Sequence, residues 1–226
     1  FDSKFYKLIK QSLSVDIGPS PQPENLLRIT EIDNKDFTGL FKRHQNLLLI
    51  VPSESFHIDF KKDLFATNQM VIVLMCPSYV SLIENIHHIN NIPNHIKQVE
   101  INRLIKGFKT NANQALKQVI EQTHNISMFI PKGFFLAYKD SSVIWARRET
   151  PKMSQGVFIT KIPELNDLNF TSTYFKKYID SIISPHILGP LDESHMITEK
   201  NAIFQLDSLS INHIPVLKLQ SLWRMK

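Results

Sequence analysis

Phe5, Leu8, Ile9 and Leu13 recur three and four residues apart, which gathers them on one helical face and predicts an opening helix capped by Asp2. The stretch GPSPQPE (18–24) then holds three prolines. Each fixes φ and removes an amide donor, so this stretch reads as an extended connector. Beyond it the pattern predicts a strand over 26–32 and a short helix over 36–44.

From residue 46 the same plan is written twice. NLLLIVPSESF gives a strand stopped by Pro52, DLFATNQMVIVLMCPS a hairpin turning near Asn68 and stopped by Pro77, and SYVSLIENIHHIN a helix capped by Ser78. In the second copy ISMFIPKGFF gives a strand stopped by Pro131. SSVIWARRETPKMSQGVFITKIPE follows as a hairpin turning at 151–156 and stopped by Pro163, and DLNFTSTYFKKYIDSII as a helix. Each proline falls where a chain leaving a sheet no longer needs an amide donor.

Between the copies residues 94–121 carry the longest helical signal, with Ile96, Val99, Leu104, Ile105, Phe108, Ala112, Ala115, Leu116, Val119 and Ile120 on an apolar face. A continuous helix there would be about 40 Å long, with Gly107 as a bend or close packing point. Residues 188–201 read as a loop, and 202–206 and 216–223 as closing strands. The expected class is α+β: antiparallel sheet built from two degenerate β-β-β-α units, with helices packed on it. The expected division is 1–45, 46–125 and 126–226 within one compact domain.

Composition adds limits. In 226 residues, 42% hydrophobic and 21% charged content is that of a folded chain, and runs such as MVIVLMC (70–76) are about a third of the ~20 residues a membrane-spanning helix needs. The numbered chain starts at Phe1 with no charged and then apolar leader, which reads as a mature or trimmed form. The single cysteine, Cys76, sits in an apolar run and reads as a buried, inert thiol. The net charge of +5 is dispersed in pairs such as Lys42-Arg43 and Lys61-Lys62, with no nucleic-acid module, so nucleic acid is not an expected partner.

Candidate chemistry is sparse. His87 and His88 are adjacent and would point about 100° apart on a helix, while Asn91 and Pro93 separate His88 from His95, so neither a metal nor a cofactor is expected. DESHMITE (192–199) brings serine, histidine and acids together without a nucleophile elbow, and reads as a polar loop. The six glycines form no phosphate-cradling pattern, and no catalytic residue is assigned. In VIWARRET, alternation puts Val143, Trp145 and Arg147 on one face and Ile144, Ala146 and Arg148 on the other. Trp145, Arg147, Arg148, Trp223 and Arg224 are the candidate partner-binding residues, because tryptophan and arginine concentrate at binding hot spots. Arg103, Lys106, Lys109 and Lys117 of the basic helix are the candidates for an anionic surface.

The order SVIWARRET, SQGVFITKIPEL, LGPLDESHMITE and LWRMK resembles a Bacteroidota envelope lipoprotein family known as a domain of unknown function, number four-eight-three-seven. PSPQPENLLRITEI and FKRHQNLLLIV look like that family's connector and following strand. The resemblance implies an outer-membrane-anchored envelope location, through an acylated cysteine upstream of Phe1. It supplies no reaction. The expected function is a non-enzymatic, protein-binding subunit of an outer-membrane-associated assembly; the alternative is a hydrolase acting on a cell-envelope polymer.

Overall fold

Helices and antiparallel strand pairs succeed one another in an α+β fold. The computed structural model describes residues 3–161 and 171–226. In chain order come α1 (Ser3–Leu13), β1 (Asn46–Pro52), β2 (His57–Lys62), β3 (Met70–Cys76), α2 (Tyr79–Glu84) and α3 (Ile86–Asn90). Next are α4 (Ile92–Thr110), α5 (Gln114–His124), β4 (Phe135–Lys139), β5 (Val143–Glu149) and β6 (Ser154–Thr160). The chain closes with α6 (Ser172–Ile183), β7 (Met196–Thr198), β8 (Gln205–Ile211), β9 (Ile214–Gln220) and β10 (Trp223–Met225). Two compact units result: Phe1–Ile96 with Asn169–Lys226, and Lys97–Leu168.

In the first unit, α1 buries Phe5, Ile9 and Leu13, the predicted stripe, and packs on α2 and α3. Each such side chain contributes about 1.5–3 kcal/mol when fully buried. Strand β3 is the middle of a sheet ordered β1-β3-β2. Val71 and Ile72, neighbours that face opposite sides, are both fully buried, which explains an uninterrupted apolar run where an alternating one would serve a half-exposed strand. The β2–β3 pair is antiparallel, but β1 runs parallel to β3. After β1 the chain crosses to the far edge as β2 and returns through the middle, a wiring the proline punctuation does not encode. Cys76 ends β3, fully buried, its Sγ donating to the Ser78 carbonyl at 3.3 Å. Ser78 caps α2 by accepting from Ser81 N–H at 3.2 Å.

Several expected elements differ. Residues 26–32 form no strand: Ile17 N–H donates to the Glu24 carbonyl and Leu26 N–H to Val15, so the connector spends its backbone bonds folding back on the end of α1. Residues 36–44 form no single helix but part of two 3-10 turns, Asn34–Asp36 and Phe41–Arg43, with Gly39 between them. The first arm of the hairpin is HIDFKK, and DLFATNQ is its turn, with Asp63 and Asn68 at positive φ. Gln69 clamps that turn. Its buried side chain donates to the Lys42 and His44 carbonyls, both at 2.6 Å, and accepts from Phe65 N–H at 2.9 Å. Asp2, Pro163 and residues 167–170, assigned above to a cap, a stop and a helix start, lie outside the described residues.

The same unit ends in two small sheets. β7 pairs with β10, and Asp180 of α6 accepts from the backbone N–H and hydroxyl of buried Thr198, which ties helix to strand. β8 and β9 form a hairpin that pairs only with itself among the described residues. Its two-residue turn, Asn212-His213, has φ of 51° and 66°, the left-handed pair that suits the twist of a tight hairpin.

In the second unit, the helix expected over 94–121 is broken. α4 stops at Thr110 and α5 starts at Gln114, and the break is not at Gly107, where the helix continues and a Cβ would meet nothing within 4 Å. Asn113 makes it: its side chain accepts from Leu116 N–H at 3.2 Å as the α5 cap and donates to the Phe134 carbonyl at 2.9 Å, while its backbone N–H donates to Ile130. Residues 126–130, expected as a strand, instead brace this junction through the Ala112–Pro131 bridge, and the strand begins at Phe135. β4-β5-β6 is an antiparallel meander. Its inner face sets Ile144 and Ala146, with Val157 and Ile159, against Leu116, Ile120 and Ile130.

Candidate functional site

The outer face of this meander is where exposed aromatics collect. Register places Tyr138, Trp145 and Phe158 in one row across the three strands, and Phe135, Arg147 and Gly156 in the next. A bulge between Leu136 and Tyr138 holds Phe135 and Tyr138 on the same face although three positions separate them. Phe135 and Tyr138 are exposed, and Trp145 and Phe158 half-buried. Gly156 makes room: a Cβ there would lie 3.2 Å from Trp145 Nε1, so a side chain would press on the indole.

Arg147 completes the face. Its guanidinium carbon is 5.0 Å from the Trp145 ring centre, a cation–π contact of about 0.5–2 kcal/mol, and it pairs with Glu149. Glu149 also accepts from the Ser154 hydroxyl at 2.9 Å. The turn at the other end is set by Asp140, which accepts from Ser142 and Val143 N–H, both at 2.7 Å, and from the Tyr138 hydroxyl at 2.9 Å. The two backbone donors, then the Tyr138 hydroxyl, lower the Asp140 pKa to about 2. The same bond to Asp140 raises the Tyr138 pKa.

The candidate residues thus separate. Trp145 and Arg147 share the outer face; Arg148 is exposed at the strand end, on the other side, beside Gly133. Trp223 and Arg224 belong to the first unit, on β10, opposite Thr198 and Ile197, with Arg224 Nε 3.2 Å from Glu199 Oε2. Sequence reasoning passed over Tyr138, Phe135 and Phe158. Phe158 follows from alternation in SQGVFIT, whereas Tyr138 needs the bulge.

The basic candidates divide between two helices. Arg103 pairs with Glu100 at 2.5 Å on α4, and Lys117 with Glu121 at 2.7 Å on α5. Lys117 and the Ser127 side chain lower the Glu121 pKa. Lys109 and Lys117 each stand 5.8 Å from the Phe129 ring centre. Lys106 forms no ion pair among the described residues.

Among the described residues no three metal-ligating side chains gather. The His87 and His88 rings lie 3.9 Å apart, and His95 packs 4.2 Å from Phe60. In the DESH loop Ser194 Oγ donates to the Leu191 carbonyl at 2.6 Å, and His195 Nδ1 is 3.0 Å from the Glu193 carbonyl, so both side chains are engaged by the loop's own backbone. No described helix is long and apolar enough to cross a membrane.

A family model described as a domain of unknown function (DUF8532) matches residues 2–109, so the proline-rich connector and FKRHQNLLLIV, likened above to the number four-eight-three-seven family, fall in the match of a different family. A second matches residues 113–226, half of the chain, with all four motifs of its C-terminal half. The two matches meet at the α4–α5 break, the second opening on the Asn113 cap. No curated protein and no solved structure matches the chain. By the second match, the chain belongs to the domain of unknown function family DUF4837.

Proposed function

We propose that this chain is the folded body of a cell-envelope lipoprotein and acts as a protein-binding subunit of an outer-membrane-associated assembly. One observation carries the docking role: the Tyr138–Trp145–Phe158 row with Arg147 beside the indole, on the outer face of a sheet whose inner face is packed. Broad amphipathic rings with an arginine give large contact area at low entropy cost, the composition of interface hot spots. The envelope setting and the lipid anchor rest on the resemblance of the motif order alone.

The test is affinity purification of the full-length protein from native membranes in mild detergent, beside Trp145→Ala and Arg147→Ala. The expected result is a stoichiometric protein partner whose affinity falls at least tenfold in Trp145→Ala while the variant still melts cooperatively. Recovery of the protein alone, or equal recovery by the Trp145 variant, overturns the reading.

A further inference from the structure

The apolar face predicted for the long helix stays open to solvent over the 97–110 stretch of α4. Ile101, Leu104, Ile105 and Phe108 are between 37% and 53% exposed, while the half-buried positions are Val99, Glu100, Arg103 and Gly107. The exposed four fall at i, i+3, i+4 and i+7, one continuous stripe about 10 Å long. That spacing is the code by which a helix is read in the groove of another protein.

Charge states the partner's chemistry. Lys97, four residues before Ile101, and Lys109, four after Ile105, are exposed at the border of this stripe, and the stretch's one acid, Glu100, is held by Arg103 at 2.5 Å. Lys109 stands at the border of the stripe with its ammonium over Phe129. A second copy docked face to face would set these cations against themselves. A membrane surface would favour the charge, but the stripe is only two turns long, because Ile92, Pro93 and Ile96 at the start of the helix are buried in the fold.

We infer that the 97–110 stretch of α4 inserts Ile101, Leu104, Ile105 and Phe108 into an apolar groove of a partner protein rimmed by aspartate and glutamate. This rests on the docking role proposed above and adds a second contact, with its partner chemistry, to the aromatic sheet face.

The test places a photo-crosslinking benzophenone side chain at position 104 of the full-length protein and, as a control, at position 35. It is run beside Leu104→Ser with Phe108→Ser, and Lys97→Glu with Lys109→Glu. All four altered positions are exposed, and thermal melts confirm that the variants fold. The expected result is a crosslink from position 104 alone to a partner peptide with Asp or Glu beside apolar residues. Both double variants weaken association at least tenfold, and binding falls steeply with salt. Vesicles of phosphatidylethanolamine and phosphatidylglycerol provide the lipid arm. Crosslinking to lipid, or vesicle binding abolished by Lys97→Glu with Lys109→Glu, assigns the face to a membrane and overturns the inference. Full association by both double variants while Trp145→Ala loses it leaves the docking role standing and removes α4 from it. No partner for the unaltered protein defeats both.

Discussion

The two three-stranded sheets of this protein use their faces differently. In β1-β3-β2 the central strand buries successive residues, Val71 and Ile72, so that strand gives both of its sides to the interior. In β4-β5-β6 the central strand starts the same way, with Val143 and Ile144 both buried, but from there its sides part company: Ile144 packs against Leu116 and Ile120, while Trp145 stays half-open on an aromatic face. The lesson is that a run of apolar residues marks a strand given wholly to stability, while an interrupted one marks a strand with a side left for recognition. MVIVLMC and VIWARRE show that difference before any coordinates.

Substitutions can break this contrast, beginning with the largest effect. Leu74→Ala on β3 and Ile144→Ala on β5 remove fully buried side chains and each lower the unfolding free energy by about 2–5 kcal/mol in denaturant titrations. If Trp145→Ala destabilises the fold as much as Ile144→Ala, the outer face is core and the contrast fails. Trp145→Ala is expected instead to weaken partner binding by about 2 kcal/mol, roughly thirtyfold by calorimetry, as for a central hot spot. Gly156→Val drives branched carbons against Trp145 Nε1, and should lower partner affinity several-fold and shift the indole fluorescence.

A smaller effect is a pH dependence. Asp140 has a folded pKa lowered to about 2, so its contribution is present above the ordinary carboxylate range and is lost as pH falls from about 4 through 2. Asp140→Ala should lower the melting temperature at neutral pH, with the difference from the unaltered protein closing over that window. Least affected is Arg148→Ala, an exposed strand-end change expected to move stability by no more than about 0.5 kcal/mol. A larger binding loss from Arg148 than from Arg147 would move the docking face to the other side of the sheet.

What could be read in the sequence was whatever local chemistry decides. The α1 stripe, the β5–β6 hairpin, the Ser78 cap and the apolar β3 follow from spacing, turn residues and hydroxyl capping, although the hairpin turns earlier than expected, with Ser154 to Gly156 already in β6. The break in the long helix was hidden, because Asn111, Ala112 and Asn113 are each tolerable in a helix. What fixes the break is the Asn113 cap held by distant partners, the carbonyls of Ile130 and Phe134, with the Ala112–Pro131 bridge beside it. The parallel β1–β3 pair was hidden for the same reason: strand order is settled by which edge covers which, and Pro52 says only that a strand stops there. Of the outer face, Trp145 and Arg147 were legible from alternation, while Tyr138 joins them through a bulge that leaves no mark in FLAYK. The order of the C-terminal motifs found the family, whose match covers that half, whereas the connector and FKRHQNLLLIV lie in the other family's match.

The β8–β9 hairpin has a practical consequence. Both of its outer edges are unpaired among the described residues, and Ile211 and Ile214 stand exposed beside its turn, a template for stray strands from neighbouring molecules in concentrated solution. The β9 edge is partly blunted. In a two-residue hairpin the bonds closing the turn fall between Ile211 and Ile214, so the amide position of Pro215 faces outward, where proline withdraws a donor that an intruder would use. The β8 edge has no such guard, and a lysine or proline engineered at Ser210 is the change that would keep purified material soluble.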